Sequence, residues 1–377
     1  MKKVLIFTAS IGGGHNEAAS CLEKEFVKHG FIAKKRDALW EVNRKLESVI
    51  FHSYKILIDK FPKVYGNLYD ISNKRKTNKL MTELVLKISK NKIYNIILEE
   101  KPDLIISTHC FVIGAIGYLK EEGLIDIPFI SVVTDFQAHQ TYINKNVDAY
   151  IVSSDHIKES LARHGISRDK IFSYGIPIKN EFLNRTDKKP IKKKAFQILL
   201  MAGSLGHKDM KKVLKGITNI NDNYRIVVVC GNNEKLRESI QKDYANLIQR
   251  QKIILYGFTR NIPDIMESSD IIITKPGGLT VSEAIAKKLP IVVPYYIPGH
   301  EKENLDFLIK SGLAIYVDGI DNLKELIKSI MRDPKKLDDI KKNMEKACNG
   351  FCPDNIVYLG ENLIEDFNYG MVFSNGF

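Results

Sequence analysis

Residues 271–304, IIITKPGGLTVSEAIAKKLPIVVPYYIPGHEKEN, set a lysine, two adjacent glycines, a glutamate and a second polar cluster behind two apolar runs. Gly277 and Gly278 let backbone N–H groups approach an anion closely, and a helix opening just beyond them adds the partial positive charge of its N-terminus. The spacing predicts that helix to start near Thr280. Glu283 then falls in its first turn, where a carboxylate accepts hydrogen bonds from ribose hydroxyls. Lys275 stands at the strand end beside the turn. After the second strand, a loop through Gly299, His300, Glu301 and Asn304 is expected to face a sugar: Glu301 and Asn304 to hydrogen-bond hexose hydroxyls, His300 to donate from one ring nitrogen. The arrangement suits a diphosphate and its sugars. The plainer alternative for the glycines alone is a tight strand-to-helix turn.

Three further stretches follow apolar runs. Ser10-Ile11-Gly12-Gly13-Gly14-His15 is not the GxGxxG dinucleotide fingerprint, because its spacing differs and a histidine closes it. Gly12, Gly13 and Gly14 make an open floor for a substrate head group, and His15 at a helix start can take a proton near neutral pH. In Thr134-Asp135-Phe136-Gln137-Ala138-His139, Asp135 either orients an imidazole or acts as a base itself, with a helix N-cap as its structural alternative; His139 lies alongside. In residues 201–208, MAGSLGHK, backbone N–H groups of Gly203 and Gly206 and the Ser204 hydroxyl can hold a phosphate, with Lys208 adding charge. Gly257 and Phe258 follow another strand, where the backbone can read a uracil edge beside the aromatic ring.

The elements that must position these groups alternate. Strands are expected at residues 4–8, 104–107, 129–134 and 149–153, then at 197–201, 224–230, 252–256, 271–274 and 291–294, with helical pattern between them. Such alternation predicts an α/β fold of two doubly wound domains, parallel sheets with helices on both faces, whose strand ends face a central cleft. The polar, basic stretch NRTDKKPIKKK at 184–194 reads as the linker, which makes residues 1–183 one domain and 195–355 the other. Residues 40–92 form a helical insertion. It mixes apolar and aromatic side chains (Trp40, Ile50, Phe61) with a basic excess (Lys74, Arg75, Lys76, Lys79), a surface suited to anionic lipid or to packing as a cap on its own domain.

The chain has 377 residues, is 44% hydrophobic and carries a net charge of +12. No apolar run approaches the roughly 18 residues of a membrane span, and no signal-peptide pattern opens the chain, so a cytoplasmic location is expected. The charge favours an anionic partner, yet no nucleic-acid motif is present. Five scattered cysteines form no zinc pattern. With no Asp-X-Asp and no His-Glu-X-X-His, no metal site is expected. Leaving-group charge would fall to backbone donors and a helix dipole, and no cofactor is expected beyond a nucleotide-sugar co-substrate.

Taken together, GGGH at 12–15, TDF at 134–136, AGSLG at 202–206, YGF at 256–258, KPGGLTVSEA at 275–284 and PGHEKEN at 298–304 make the chain resemble the monogalactosyldiacylglycerol synthase and processive diacylglycerol glucosyltransferase family. The order and spacing of the six are specific. The resemblance implies a GT-B fold of two Rossmann-like domains, acceptor in the first and donor in the second, with the C-terminal helix at 356–377 packed back on the first. It implies inverting transfer of a hexose, from UDP-glucose or UDP-galactose, to the 3-hydroxyl of diacylglycerol at the cytoplasmic membrane face. His300 stands where many relatives have glutamine, in the loop expected to touch the sugar. Two other functions are compatible with this architecture: a UDP-sugar 2-epimerase, and a non-catalytic, membrane-associated UDP-sugar sensor.

Overall fold

The computed structural model describes residues 1–10, 13–184, 195–203, 209–218, 220 and 223–374. Of the groups singled out above, Gly12, Ser204, Gly206, Lys208 and linker residues 185–194 lie outside the described residues. The chain divides into two compact units, Met1–Ile178 with Pro298–His300 and Gly350–Phe377, and Lys179–Ile297 with Glu301–Asn349.

The first unit runs β1 (Lys3–Thr8), α1 (Gly14–Lys28), β2 (Ile32–Asp37), α2 (Ala38–Val42), α3 (Arg44–Lys60), α4 (Pro62–Ser72), α5 (Arg75–Glu100), β3 (Leu104–Ser107), α6 (Ile113–Glu121), β4 (Phe129–Val132), β5 (Ala149–Ile151), α7 (Asp155–Arg163) and β6 (Ile171–Phe172). Its strands form one parallel sheet in the order β2-β1-β3-β4-β5-β6. Both faces of the central strands are covered, so β3, Leu-Ile-Ile-Ser, is buried throughout. Val4, Ile6, Leu104 and Ile106 pack on α1, while Leu5, Phe7, Ile105 and Phe129 pack with residues of α5, α6 and α7.

The second unit runs α8 (Asn180–Leu183), β7 (Phe196–Met201), α9 (Asp209–Ile217), β8 (Tyr224–Val229), α10 (Glu234–Asp243), α11 (Ala245–Gln249), β9 (Ile253–Tyr256), α12 (Ile262–Ser268), β10 (Ile271–Ile273), α13 (Gly278–Ala286), β11 (Ile291–Val293), α14 (His300–Lys310), β12 (Ala314–Tyr316), α15 (Ile320–Arg332) and α16 (Asp338–Ala347). Its sheet is parallel in the order β12-β11-β10-β7-β8-β9. Ile198, Leu200, Ile226 and Val228 meet Met210, Leu214, Ile240, Leu323 and Ile327 in its core.

Two local expectations shift. The helix placed near Thr280 begins at Gly278, so Glu283 sits in the second turn rather than the first. The polar loop ends at Gly299: His300 already opens α14, and Glu301 and Asn304 are helical.

The last helix, α17 (Pro353–Ser374), belongs to the first unit, where Ile356, Val357 and Ile364 join the face covered by α1. Lys2 Nζ lies 3.0 Å from Glu365 Oε1. Gly360 is the point of closest approach, since a Cβ there would fall 2.7 Å from Leu104 Cδ2 and 3.2 Å from Phe26 Cζ. Gly360→Leu should lower stability by about 1–3 kcal/mol, the usual range for overpacking. An unchanged denaturation midpoint would show that this helix is not seated against β3.

Candidate active site

In the first unit, the groups that carry chemistry gather where β1, β3 and β4 end. Gly13 precedes α1 with no side-chain cap, and His15 is the helix's second residue. His15 Nδ1 donates to the Thr108 carbonyl oxygen at 2.8 Å and has Thr134 Oγ1 at 2.7 Å. A carbonyl only accepts, so the ring proton sits on Nδ1 and Nε2 keeps its lone pair in the neutral form. Thr108 also donates its hydroxyl to the His15 carbonyl at 3.0 Å, which ties the end of β3 to the start of α1. Burial pushes the His15 pKa below the ordinary histidine value. The Asp135 carboxylate and the Thr108 carbonyl act in the opposite direction, and His300 adds to the lowering.

His109, which the sequence reading passed over, packs edge-on to His15 with ring centroids 4.6 Å apart. Its Nδ1 accepts from the Phe111 N–H at 3.1 Å, and burial holds its pKa well below the usual range, with the neighbouring His15 adding to the effect. The signal was available: Thr108-His109 directly follows a strand, as the other polar motifs do.

Asp135 is half-buried just beyond β4, and Ser153 Oγ donates to its backbone carbonyl at 3.3 Å. His139, expected near the acceptor, has both ring nitrogens engaged inside the unit. Nδ1 accepts from Thr141 N at 3.2 Å, and Nε2 lies 3.1 Å from Ser72 Oγ. Its ring also packs on Tyr69, so it pins the end of α4 beneath the β4 loop. Gly299 and His300 are grouped with this unit: Gly299, at φ +100°, lies against Tyr65 and Tyr69, and His300 Nδ1 is 3.1 Å from Tyr65 Oη.

In the second unit, β10 runs into Lys275-Pro276-Gly277 and α13. Gly277 is the N-cap residue with no side-chain cap bond, and a Cβ there would meet nothing within 4 Å. The first N–H groups of α13 thus have no side-chain cap at Gly277, and a helix N-terminus of this kind can receive an anion. Thr280 is buried on this helix and Glu283 is half-buried one turn on. Gly203, at the end of β7, adopts a left-handed φ of +72° with open space around it. A Cβ at Gly257 would fall 3.2 Å from Arg237 Cδ, while Phe258 is 63% exposed.

The turn is braced from behind. Glu301 and Asn304, expected to reach for sugar hydroxyls, are each 0% exposed. Glu301 pairs with Lys275 and accepts from the Ile297 N–H at 2.9 Å, and Asn304 Nδ2 donates to the Pro276 carbonyl at 3.0 Å. Their amide and carboxylate hold the Lys275–Gly278 turn in shape. Glu301→Ala would leave the Lys275 ammonium without this partner and should cost about 3 kcal/mol or more. Chemical denaturation checks this, and a loss below about 1 kcal/mol would mean that the pair behaves as a surface one.

Residues 15–178 match the family model for monogalactosyldiacylglycerol (MGDG) synthase, and residues 184–347 match that for glycosyl transferases group 1. Among solved structures, MurG of Acinetobacter baumannii has a TM-score of 0.64 at 18% identity, covering 96% of this chain and 100% of its own. CalG4, the calicheamicin glycosyltransferase, has 0.64 at 12% identity, with 97% and 98% covered. The UDP-GlcNAc 2-epimerase of Neisseria meningitidis shares the fold more distantly, with a TM-score of 0.55 at 15% identity and 97% and 100% covered. The fold is GT-B, and with the group 1 match the protein is classed as a glycosyltransferase enzyme. The chain is 31% identical over 356 residues to the processive diacylglycerol β-glucosyltransferase of Bacillus subtilis strain 168, covering 91% of each. It is 31% identical over 357 residues to that of Bacillus licheniformis, with 91% and 90% covered. It belongs to the monogalactosyldiacylglycerol synthase and processive diacylglycerol glucosyltransferase family.

Proposed function

We propose that the protein transfers a hexose, with inversion, from a UDP-sugar to the 3-hydroxyl of 1,2-diacylglycerol. The carrying observation is His15, its Nδ1 proton held by the Thr108 carbonyl and its Nε2 left basic. The acceptor oxygen attacks the anomeric carbon and its proton passes to Nε2. The bond from that carbon to the diphosphate oxygen breaks, and UDP leaves with the electron pair. The N–H groups of Gly278 and its neighbours, with the dipole of α13, take up the charge that develops on the diphosphate. Asp135 stabilises the imidazolium. Glu283 is assigned to the ribose and Phe258 to the uracil. The relatives' names favour glucose as the sugar. This mechanism needs no metal ion, so turnover should survive a chelator.

His15→Ala should lower turnover by about 100-fold or more, the scale of a general-base contribution, with UDP affinity little changed. Because the His15 pKa is lowered, the active neutral form persists below the ordinary histidine range and is lost only as pH falls through the lowered value. The acid limb of kcat/KM should thus lie below about pH 6.5. It should move lower still in Asp135→Asn, which removes the carboxylate that raises the pKa. A limb above the ordinary histidine value, or near-normal turnover in His15→Ala, would end the assignment.

The same reading places the enzyme peripherally on the cytoplasmic face of an anionic membrane. No helix among the described residues is long and apolar enough to cross a bilayer. The helical insertion instead exposes Val49, Ile56, Leu68, Leu80, Leu84 and Ile88 on α3, α4 and α5, on segments that also carry Lys55, Lys63, Lys76, Lys79 and Lys87. Apolar side chains with a lysine excess fit the boundary between anionic headgroups and acyl chains. Incubation with diacylglycerol vesicles and each UDP-sugar in turn, followed by mass analysis, should yield a glucosyldiacylglycerol. Vesicle binding should strengthen with anionic lipid and weaken with salt. Turnover of UDP-N-acetylglucosamine without lipid would favour the epimerase, and binding indifferent to lipid charge would favour a self-packed cap.

A further inference from the structure

Three side chains link the end of β1 to the first turn of α1, which carries His15. Ser10 follows β1, Asn16 is the third residue of α1, and Asp37 closes β2 in register with Thr8. The Ser10 hydroxyl donates to Asp37 Oδ2, and Asn16 Nδ2 donates to Ser10 Oγ at 3.0 Å. The other Asp37 oxygen, Oδ1, accepts from the N–H groups of Leu39 and Trp40 at 3.1 Å each and so caps α2.

The direction of this chain of bonds is forced. An ionised carboxylate only accepts, so the single proton of Ser10 is committed to Asp37. The serine oxygen then has only lone pairs to offer, and Asn16 must present its NH2 rather than its carbonyl. Between Ser10 and Asn16 lie three glycines, residues with no side chain to fix them and the largest conformational freedom to lose. The relay joins Ser10 on one side of that stretch and Asn16 on the other to β2.

We propose that Asp37, Ser10 and Asn16 are positioning residues for His15. Their carboxylate–hydroxyl–amide relay sets the first turn of α1 so that the imidazole meets the Thr108 carbonyl in the tautomer that leaves Nε2 basic. The inference rests on His15 as the base, through which all three act. Asp37 couples this to a second task, since the same carboxylate starts α2 and with it the helical insertion.

Ser10→Ala and Asn16→Ala test this without removing the α2 cap. They are compared singly and together, beside Ser10→Thr, in the full-length protein with diacylglycerol vesicles and UDP-glucose. Each single alanine variant should lower kcat by about 10- to 100-fold, the scale of a misplaced catalytic group. KM for UDP-glucose and the thermal midpoint should stay near wild type. The double variant should be no worse than either single, because one broken link opens the relay, and Ser10→Thr should restore the rate. Nitrogen NMR of labelled histidine, with His15 assigned by His15→Gln, should show the Nδ1–H tautomer in the wild type and Ser10→Thr and lose it in both alanine variants. Independent, multiplying losses, near-normal rates in both singles, or an intact Nδ1–H signal in both would overturn the proposal. A dead His15→Ala enzyme beside fully active Ser10 and Asn16 variants sinks the relay alone, whereas an active His15→Ala sinks the base reading beneath it.

Discussion

In each unit the sheet grows first to one side of its starting strand and then to the other. β1 lies between β2 and β3, and β7 lies between β8 and β10. Where the order reverses, the connections leaving neighbouring strands pass to opposite faces of the sheet, and the carboxyl ends of those strands are left uncovered. His15 follows β1 and Thr108 follows β3. Gly203 follows β7 and the Lys275–Gly278 turn follows β10. Each set of polar groups sits at the reversal of its own sheet, which brings together residues distant in sequence.

The two sets are held by different means. Around His15 the direct ties are to neutral groups, the Thr108 carbonyl and the Thr134 hydroxyl, and the helix that carries it is linked through Asn16 and Ser10 to the Asp37 carboxylate. Behind the Lys275–Gly278 turn stands an ion pair whose carboxylate is wholly buried and also accepts from Ile297 N. An ion pair in such a position contributes little net stability over an apolar pair of the same volume, yet losing one member is costly. Its consequence is geometric. With Lys275 drawn to Glu301 and the Pro276 carbonyl drawn to Asn304, the peptide groups of the turn have few other ways to sit ahead of α13.

The central strands were legible because burial on both faces writes them as continuous apolar runs: Ile105, Ile130, Leu199 and Ile272 all lie in segments read as strands. Edge strands carry no such run. β2, with Lys34, Lys35 and Arg36, is half-exposed along its length, and Arg36 spends its charge on Glu41 and Glu100. β6 has only two residues, too short to show a period. The glycine turns and His15 were legible as chemistry-bearing types behind strands. The tasks of Glu301 and Asn304 were not, because a buried brace and a ligand contact draw on the same polar residue types, and only burial separates them. His109 had only a weak signal, its place directly behind β3, and its pairing with His15, 94 positions earlier in the chain by the difference of their numbers, appears only in the fold.

The electrostatics of His15 suit a group that must change charge during turnover. Burial disfavours the imidazolium, which keeps the ring neutral and ready to accept a proton. Desolvation alone would also make the protonated ring costly once formed, and a base that cannot hold its proton is a poor one. The Asp135 carboxylate acts against burial, and the Thr108 carbonyl acts with it by accepting from Nδ1, so the cation is stabilised from two directions when it forms. On the proposed mechanism this opposition gives the two candidate bases separate parts. His15 takes the proton, and Asp135 makes the product of that transfer tolerable where burial disfavours a charge. The same logic explains the neutral environment on the other flank. His109 packs edge-on to His15 and its own pKa is held well below the usual range, so it supplies an uncharged wall where a second cation would have opposed the transfer.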